Sequence, residues 1–174
     1  IKVNDKMQTN VEGIYAIGDV TGKIQLAHVA SHQGIVAVEN IMGTEMEMDY
    51  ASVPSAIFTD PEIAMVGICE REAAKKGIEV TVGKFPFSAN GKALTFGESR
   101  GFVKIIKEKS TGKIIGGQII GPHATDLIAE ITLAVKNQLT EKQLIETIHA
   151  HPTTAESVHE AALATTESGA LHFA

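Results

Sequence analysis

One cysteine, Cys69, stands in 174 residues. An internal disulfide is therefore impossible, and a lone thiol cannot cycle as a dithiol. A reducing compartment, the cytoplasm, is the simplest setting. No apolar run approaches the roughly 20 residues that a membrane-spanning helix requires, and no basic-then-apolar signal segment opens the sequence. A basic stripe is missing too. Acidic and basic residues are interspersed and the net charge is −6, which argues against nucleic-acid or anionic-membrane binding. Internal repeats and low-complexity stretches are absent.

Complete nucleotide and zinc motifs are also lacking. Gly18-Asp19-Val20-Thr21-Gly22-Lys23 has too few residues between its glycines for a phosphate loop, and Ile24 follows the lysine where serine or threonine belongs. The glycines of "GGQIIG" (116–121) are spaced wrongly for a dinucleotide fingerprint. His159-Glu160 starts like a zinc-protease helix, but Leu163 occupies the second histidine's place.

What is present is 44% hydrophobic residues, enough for one core and a piece of another. "IKVNDKMQT" opens without methionine, which suggests a start inside a larger protein. "GIYAIGDV" (13–20) reads as a short buried strand ending in a turn. From Leu26 to Met42 the pattern is helical, with Ala27, Ala30, Gly34, Ala37 and Ile41 on one stripe of small residues and Gly43 as the C-terminal cap. "GTEMEMDYASVP" (43–54) reads as a connection. Beyond it, "VPSAIFTDPEIAMVG" predicts strand, turn, strand, "EREAAKKG" (70–77) a short helix, and "EVTVGKFPF" a strand. Runs 102–108 and 114–120 flank "KSTGK" as a hairpin. Helices follow: 125–137 opened by Thr125 or Asp126, another from Thr140 with a capping box to Gln143, and an alanine-rich one over 154–166. The second unit is thus α+β, an antiparallel sheet with its helices to one side.

Three stretches carry chemistry. Asp19 places a carboxylate at a strand end beside a glycine, where it can accept bonds from sugar-like hydroxyls or simply cap a turn. "QLAH" (25–28) opens the first helix, whose unpaired amides favour negative charge; an ordinary helix start explains the His28 side chain equally well. "HAHPTTAES" (149–157) has three readings. Helix capping accounts for Pro152, Thr153 and Glu156, but not for His151. Metal binding through His149, His151 and His159 suffers because alternate residues of an extended loop point apart and no cysteine assists. The third reading is an acid–base histidine whose tautomer a carboxylate fixes.

Taken together, "GIYAIGDV", "PSAIFTDPEIAMVG", "FPFSANGKAL", "GFVKII", "GPHATDLIAE" and "HAHPTTAE" resemble, in order, the C-terminal part of the dihydrolipoamide dehydrogenases. These are flavoproteins of the pyridine nucleotide–disulfide oxidoreductase family, and the resemblance covers the whole chain. It implies a C-terminal segment of an FAD-binding α/β domain over 1–48 and an interface domain over 49–174 that makes a homodimer. It implies that Asp19 meets the ribityl chain of FAD and that Gln25, Leu26, Ala27 and His28 meet the flavin. His151 becomes the acid–base and Glu156 its partner, serving the active site of the other subunit; His149 is structural. NAD and the redox-active cysteines would bind or lie outside this sequence, and no metal is implied. Partners would be lipoyl domains of 2-oxoacid dehydrogenase or glycine cleavage complexes. Alone, the chain should be inactive. Thr154 and Ala155 depart from the commoner "LS" or "LG", and glutathione-type reductases share "HPTxxE". A glutathione-type enzyme or a stand-alone dimerisation module therefore stay as alternatives, while "HAHP" and the acidic helix start favour the lipoamide enzymes.

Overall fold

A computed structural model of the chain describes residues 1–172. It divides into two units, Ile1–Tyr50 and the residues from Ala51 onward.

In the first unit, α1 spans Ala27–Ile41 and Gly43 follows with φ of 90°, a left-handed position open to glycine. The buried face of α1 is Val29, Gln33, Val36 and Ala37; it shares Ala37 with the expected stripe, whose Ala30 and Gly34 are half-buried and whose Ala27 and Ile41 are exposed. Spacing of three and four fits both stripes, and the bulkier valines remove more apolar area from water than alanines would. The expected strand over 13–20 does not form. Tyr15 makes a single bridge to Gln8, and Gly18–Thr21 is a turn of 3-10 helix. A strand needs a ladder of partners, and here it has one.

The second unit is built on an antiparallel sheet. Its strands are β1 (Ser55–Ile57), β2 (Glu62–Gly67), β3 (Val80–Pro86), β4 (Phe102–Glu108) and β5 (Ile114–Gly121), in the order β1-β2-β5-β4-β3. Helices α2 (Glu70–Lys75), α3 (Gly91–Phe96), α4 (Ala124–Lys136), α5 (Glu141–Glu146) and α6 (Glu156–Leu163) complete it. The hairpin β4–β5 falls where the two β-rich runs predict it. Cys69 opens α2, its amide bonded to Glu72.

One cross-strand row explains how the helices lie. Val66, Gly117, Ile105 and Gly83 are register partners across β2, β5, β4 and β3, so all four point to one face. A Cβ on Gly117 would meet Ile131 of α4 at 2.6 Å, and one on Gly83 would meet the Ala161 carbonyl of α6 at 2.0 Å. The two glycines are troughs in which α4 and α6 rest. Ile105, fully buried, fills the gap between the helices. Around it cluster Phe85, Val103, Ile119, Ile128, Val158 and Ala162.

The sheet's other face is only partly covered. Lys104 lies on it, between the inward-facing Val103 and Ile105, and pairs with Glu70 of α2 at 2.8 Å. So α2 lies across the sheet from α4 and α6, and the helices are not all on one side. The start of α4 differs as well. It begins at Ala124, after His123 at φ of 57°, and neither Thr125 nor Asp126 caps it. Glu62 of β2 does so from outside: its Oε2 accepts from the Thr125 amide at 3.0 Å and the Thr125 hydroxyl at 2.8 Å. A carboxylate near a helix N-terminus satisfies an orphan donor and opposes the dipole. The capping box of α5 forms as the sequence predicts, from Thr140 to Gln143.

Candidate active site

The sequence-predicted residues fall into separate units: Asp19 and Gln25–His28 in the first, His151 and Glu156 in the second. In the first, Gln33 sets the turn. Its buried side chain accepts from the Gly18 amide at 2.6 Å and donates to Tyr50 Oη at 3.0 Å. Thr21 Oγ1 donates to the Gly18 carbonyl at 2.8 Å. Gly18 has φ of 73°, and a Cβ there would touch Ala30 of α1 at 3.4 Å. Asp19 is left exposed, as are Gln25, Ala27 and His28, with Leu26 half-buried. Leu26 is the N-cap of α1 and makes no side-chain capping bond. An exposed carboxylate on a glycine turn and an uncapped helix start suit polyhydroxyl and anionic parts of a flavin nucleotide.

In the second unit the chain between α5 and α6 is irregular, and side chains fix it. His151 Nδ1 lies 2.9 Å from Glu156 Oε1. The ring is 80% exposed while Glu156 is 28% exposed. An ionised carboxylate only accepts, so Nδ1 donates and the neutral ring carries its lone pair on Nε2. Nε2 has no partner among the described residues. Glu156 Oε2 accepts from the Thr153 amide at 2.8 Å. One glutamate therefore both orients the histidine and closes half of a capping box. The other half is missing, because Thr153 Oγ1 donates to the Ala150 carbonyl at 2.7 Å. In consequence α6 starts at Glu156, later than the predicted 154.

Partial burial pushes the Glu156 carboxyl up. The Thr153 amide, the His151 hydrogen bond and the charges of His151 and His172 outweigh it and hold the pKa below the usual 4.5. A depressed carboxylate stabilises the fold above its unfolded pKa and loses that effect as pH falls through its folded value. Wild type should thus exceed Glu156→Gln in urea-unfolding stability at neutral pH. The gap should close on acidification below 4.5; a gap unchanged by acid contradicts this account.

Two anchors escaped the sequence reading. Asn90 caps α3 by accepting from the Ala93 amide at 2.9 Å, and donates to the Thr153 carbonyl at 3.0 Å. Its place before "GKAL" marks a helix cap, but nothing local marks the second bond, 63 positions away. Asn90→Asp keeps the cap acceptor and loses the donor, setting a carboxylate against a carbonyl in a buried site. It should cost about 1–3 kcal/mol in urea unfolding, and a neutral result would remove Asn90 as an anchor. The second anchor is Glu130 of α4, which meets His149 Nε2 at 2.7 Å. His149 Nδ1 faces the Thr147 carbonyl at 2.8 Å. Both ring nitrogens being engaged with oxygen, His149 is not offered to a metal. Among the described residues no group of three His, Cys, Asp or Glu side chains is placed to hold one.

Glu160, one turn beyond Glu156, accepts from the Leu171 amide at 2.7 Å and holds His172 Nδ1 at 2.5 Å. His151, Glu156, Glu160, His172 and Asn90 line one small cleft.

The chain is similar to known proteins over most of its length. The pyridine nucleotide-disulphide oxidoreductase dimerisation domain matches residues 53–162, and the pyridine nucleotide-disulphide oxidoreductase family matches 1–34. A dihydrolipoyl dehydrogenase of Chlamydia muridarum is 58% identical over 163 residues, covering 94% of this chain and 35% of that protein. One from Bacillus subtilis is 51% identical over 174 residues, covering 99% of the chain and 36% of that protein. The crystal structure of LpdA from Mycobacterium tuberculosis superposes with a TM-score of 0.88 at 35% identity, covering 92% of this chain and 35% of that one. A HOCl-induced flavoprotein disulfide reductase from Escherichia coli shares the fold, with a TM-score of 0.85 at 24% identity over 92% of this chain and 37% of its own. The chain spans about a third of the length of the curated relatives it matches.

Proposed function

This chain belongs to the pyridine nucleotide-disulphide oxidoreductase family, and from that premise we propose that it is the C-terminal part of an FAD-dependent dihydrolipoamide dehydrogenase. The observation that carries the reading is the His151 Nδ1–Glu156 Oε1 bond of 2.9 Å, which leaves Nε2 as an exposed base on a dimerisation domain.

A thiolate, not a thiol, attacks a disulfide. His151 Nε2 takes the proton of the dihydrolipoamide thiol as its sulfur attacks the enzyme disulfide, whose cysteines are not in this sequence. The S–H proton moves to the ring, a mixed disulfide forms, and the displaced cysteine sulfur leaves with the electron pair of the old bond. Glu156 stabilises the resulting imidazolium and keeps Nδ1 protonated, so only Nε2 exchanges. FAD, where bound, supplies the acceptor for the electron pair on its way to NAD. Asp19 would hold ribityl hydroxyls, and Gln25, Leu26, Ala27 and His28 would offer the start of α1 to the flavin.

The protein works as a homodimer in the cytoplasm, each His151–Glu156 pair serving the partner's disulfide, on lipoyl domains of 2-oxoacid dehydrogenase or glycine cleavage complexes. This chain by itself does not turn over. Several relatives named dihydrolipoyl dehydrogenase, between 44% and 58% identical, support the lipoamide substrate over a glutathione-type disulfide. The test is substrate competition in the full-length enzyme. Dihydrolipoamide with NAD should give the higher kcat/KM; a higher value with glutathione disulfide and a reduced nicotinamide would overturn the assignment.

A further inference from the structure

His149 is buried where His151 is exposed: its side chain is 7% accessible, against 80% for His151. Alternation along an extended segment produces this, one ring turned in and the next but one turned out. The inward ring makes a specific pair of bonds. The Thr147 carbonyl can only accept, so Nδ1 carries hydrogen. A carboxylate also only accepts, so the bond to Glu130 favours hydrogen on Nε2 too and raises the His149 pKa. A ring with both is an imidazolium.

We propose that the His149–Glu130 pair is a positioning clamp that ties the segment bearing the catalytic base to α4 and so sets the His151–Glu156 distance. This rests on the acid–base reading of His151. The segment 147–155 has no regular structure. It is tied to the rest of the unit at His149, through α4, and at Thr153, through Asn90. His151 sits midway between these ties, and its ring is hydrogen-bonded to Glu156. Glu156 is fixed separately, on α6. Two extended residues span about 7 Å, so losing one tie gives His151 enough slack to leave its partner.

The clamp also ties activity to pH. The groups facing His149 are Glu130 from α4, Glu156 and His159 from α6, the latter with its ring centroid 5.2 Å away, and His151 on its own segment. The Glu130 hydrogen bond raises the His149 pKa, against the opposing effect of burial. Catalysis requires His151 neutral and the clamp charged. Turnover therefore has an alkaline limb set by His149, whose charged form the Glu130 bond favours.

The experiment uses the full-length enzyme and dihydrolipoamide, following flavin reduction by stopped flow across pH, with nitrogen-15 NMR of the histidine rings. Glu130→Gln should lower the limiting rate about tenfold, leave the dithiol dissociation constant and FAD content unchanged, and move the alkaline limb to lower pH. In wild type the alkaline limb should coincide with the NMR titration of His149. Should Glu130→Gln lower Tm while rate and pH profile stay as in wild type, or should the wild-type limb and the His149 titration disagree, the clamp is overturned. A wild-type rate in His151→Gln would sink the acid–base reading and the clamp with it. A slow His151→Gln beside a wild-type Glu130→Gln would sink the clamp alone.

Discussion

Replacing His151 with glutamine in the full-length enzyme should slow dithiol oxidation by about 10²–10⁴-fold, the range ascribed to a general acid–base group. Glutamine roughly preserves the reach of the ring and can still bond Glu156, but it has no nitrogen that accepts a proton near neutral pH. His151 is 80% exposed and contributes nothing to the core, so Tm should hold within about 1 °C of wild type, as for other surface substitutions. FAD content should hold as well, because the residues proposed to meet FAD, Asp19 and Gln25–His28, lie in the other unit. Steady-state kinetics with dihydrolipoamide and NAD, together with flavin absorbance of the purified variant, check both halves. Unchanged turnover would leave the Glu156 contact to Thr153 as mere capping.

Gly83→Ala should damage the second unit severely. The added Cβ would stand 2.0 Å from the Ala161 carbonyl and 2.8 Å from the Thr165 amide. Both are backbone atoms of α6 or its last turn, so no rotamer change relieves the clash. Helix α6 must lift, which disturbs the packing of Val158, Ala161 and Ala162, all fully buried, and the bond from Lys107 Nζ to the Thr165 carbonyl at 2.8 Å. Overpacking of this kind costs about 1–3 kcal/mol or more. Because α6 begins with Glu156, the dyad moves with it and turnover falls as well. Gly117→Ala is the control: its nearest atom is Ile131 Cγ2 at 2.6 Å, a side-chain methyl rather than backbone, and α4 carries no member of the dyad. Urea unfolding should rank Gly83→Ala well below Gly117→Ala. Equal losses, or the reverse order, would mean that α6 is not seated on the glycine trough.

What the sequence reveals here follows from range. The β4–β5 hairpin and the α5 capping box join residues a few positions apart, and their spacing carries the information; the His151–Glu156 pair is implied by the family resemblance. The misses are long-range. Glu62 caps α4 from 63 positions away, Glu130 reaches His149 across 19, and Asn90 reaches Thr153 across 63; only the packing of the folded unit brings these together. The stripe on α1 was misassigned because two faces of that helix satisfy the same period. The strand over 13–20 has the composition of a strand, but strand formation also depends on pairing partners. Its Gly18 and Gly22, both at positive φ, curl the run into a 3-10 turn.

The most direct test of the acid–base pair is the pH dependence of flavin reduction by dihydrolipoamide, measured by stopped flow in the full-length wild type and in His151→Gln. Wild type should reduce its flavin about 10²–10⁴-fold faster than His151→Gln at neutral pH, and the variant should stay slow at every pH. If His151→Gln matches wild type across the pH range, the proton is taken by another group and the role assigned to the pair is wrong.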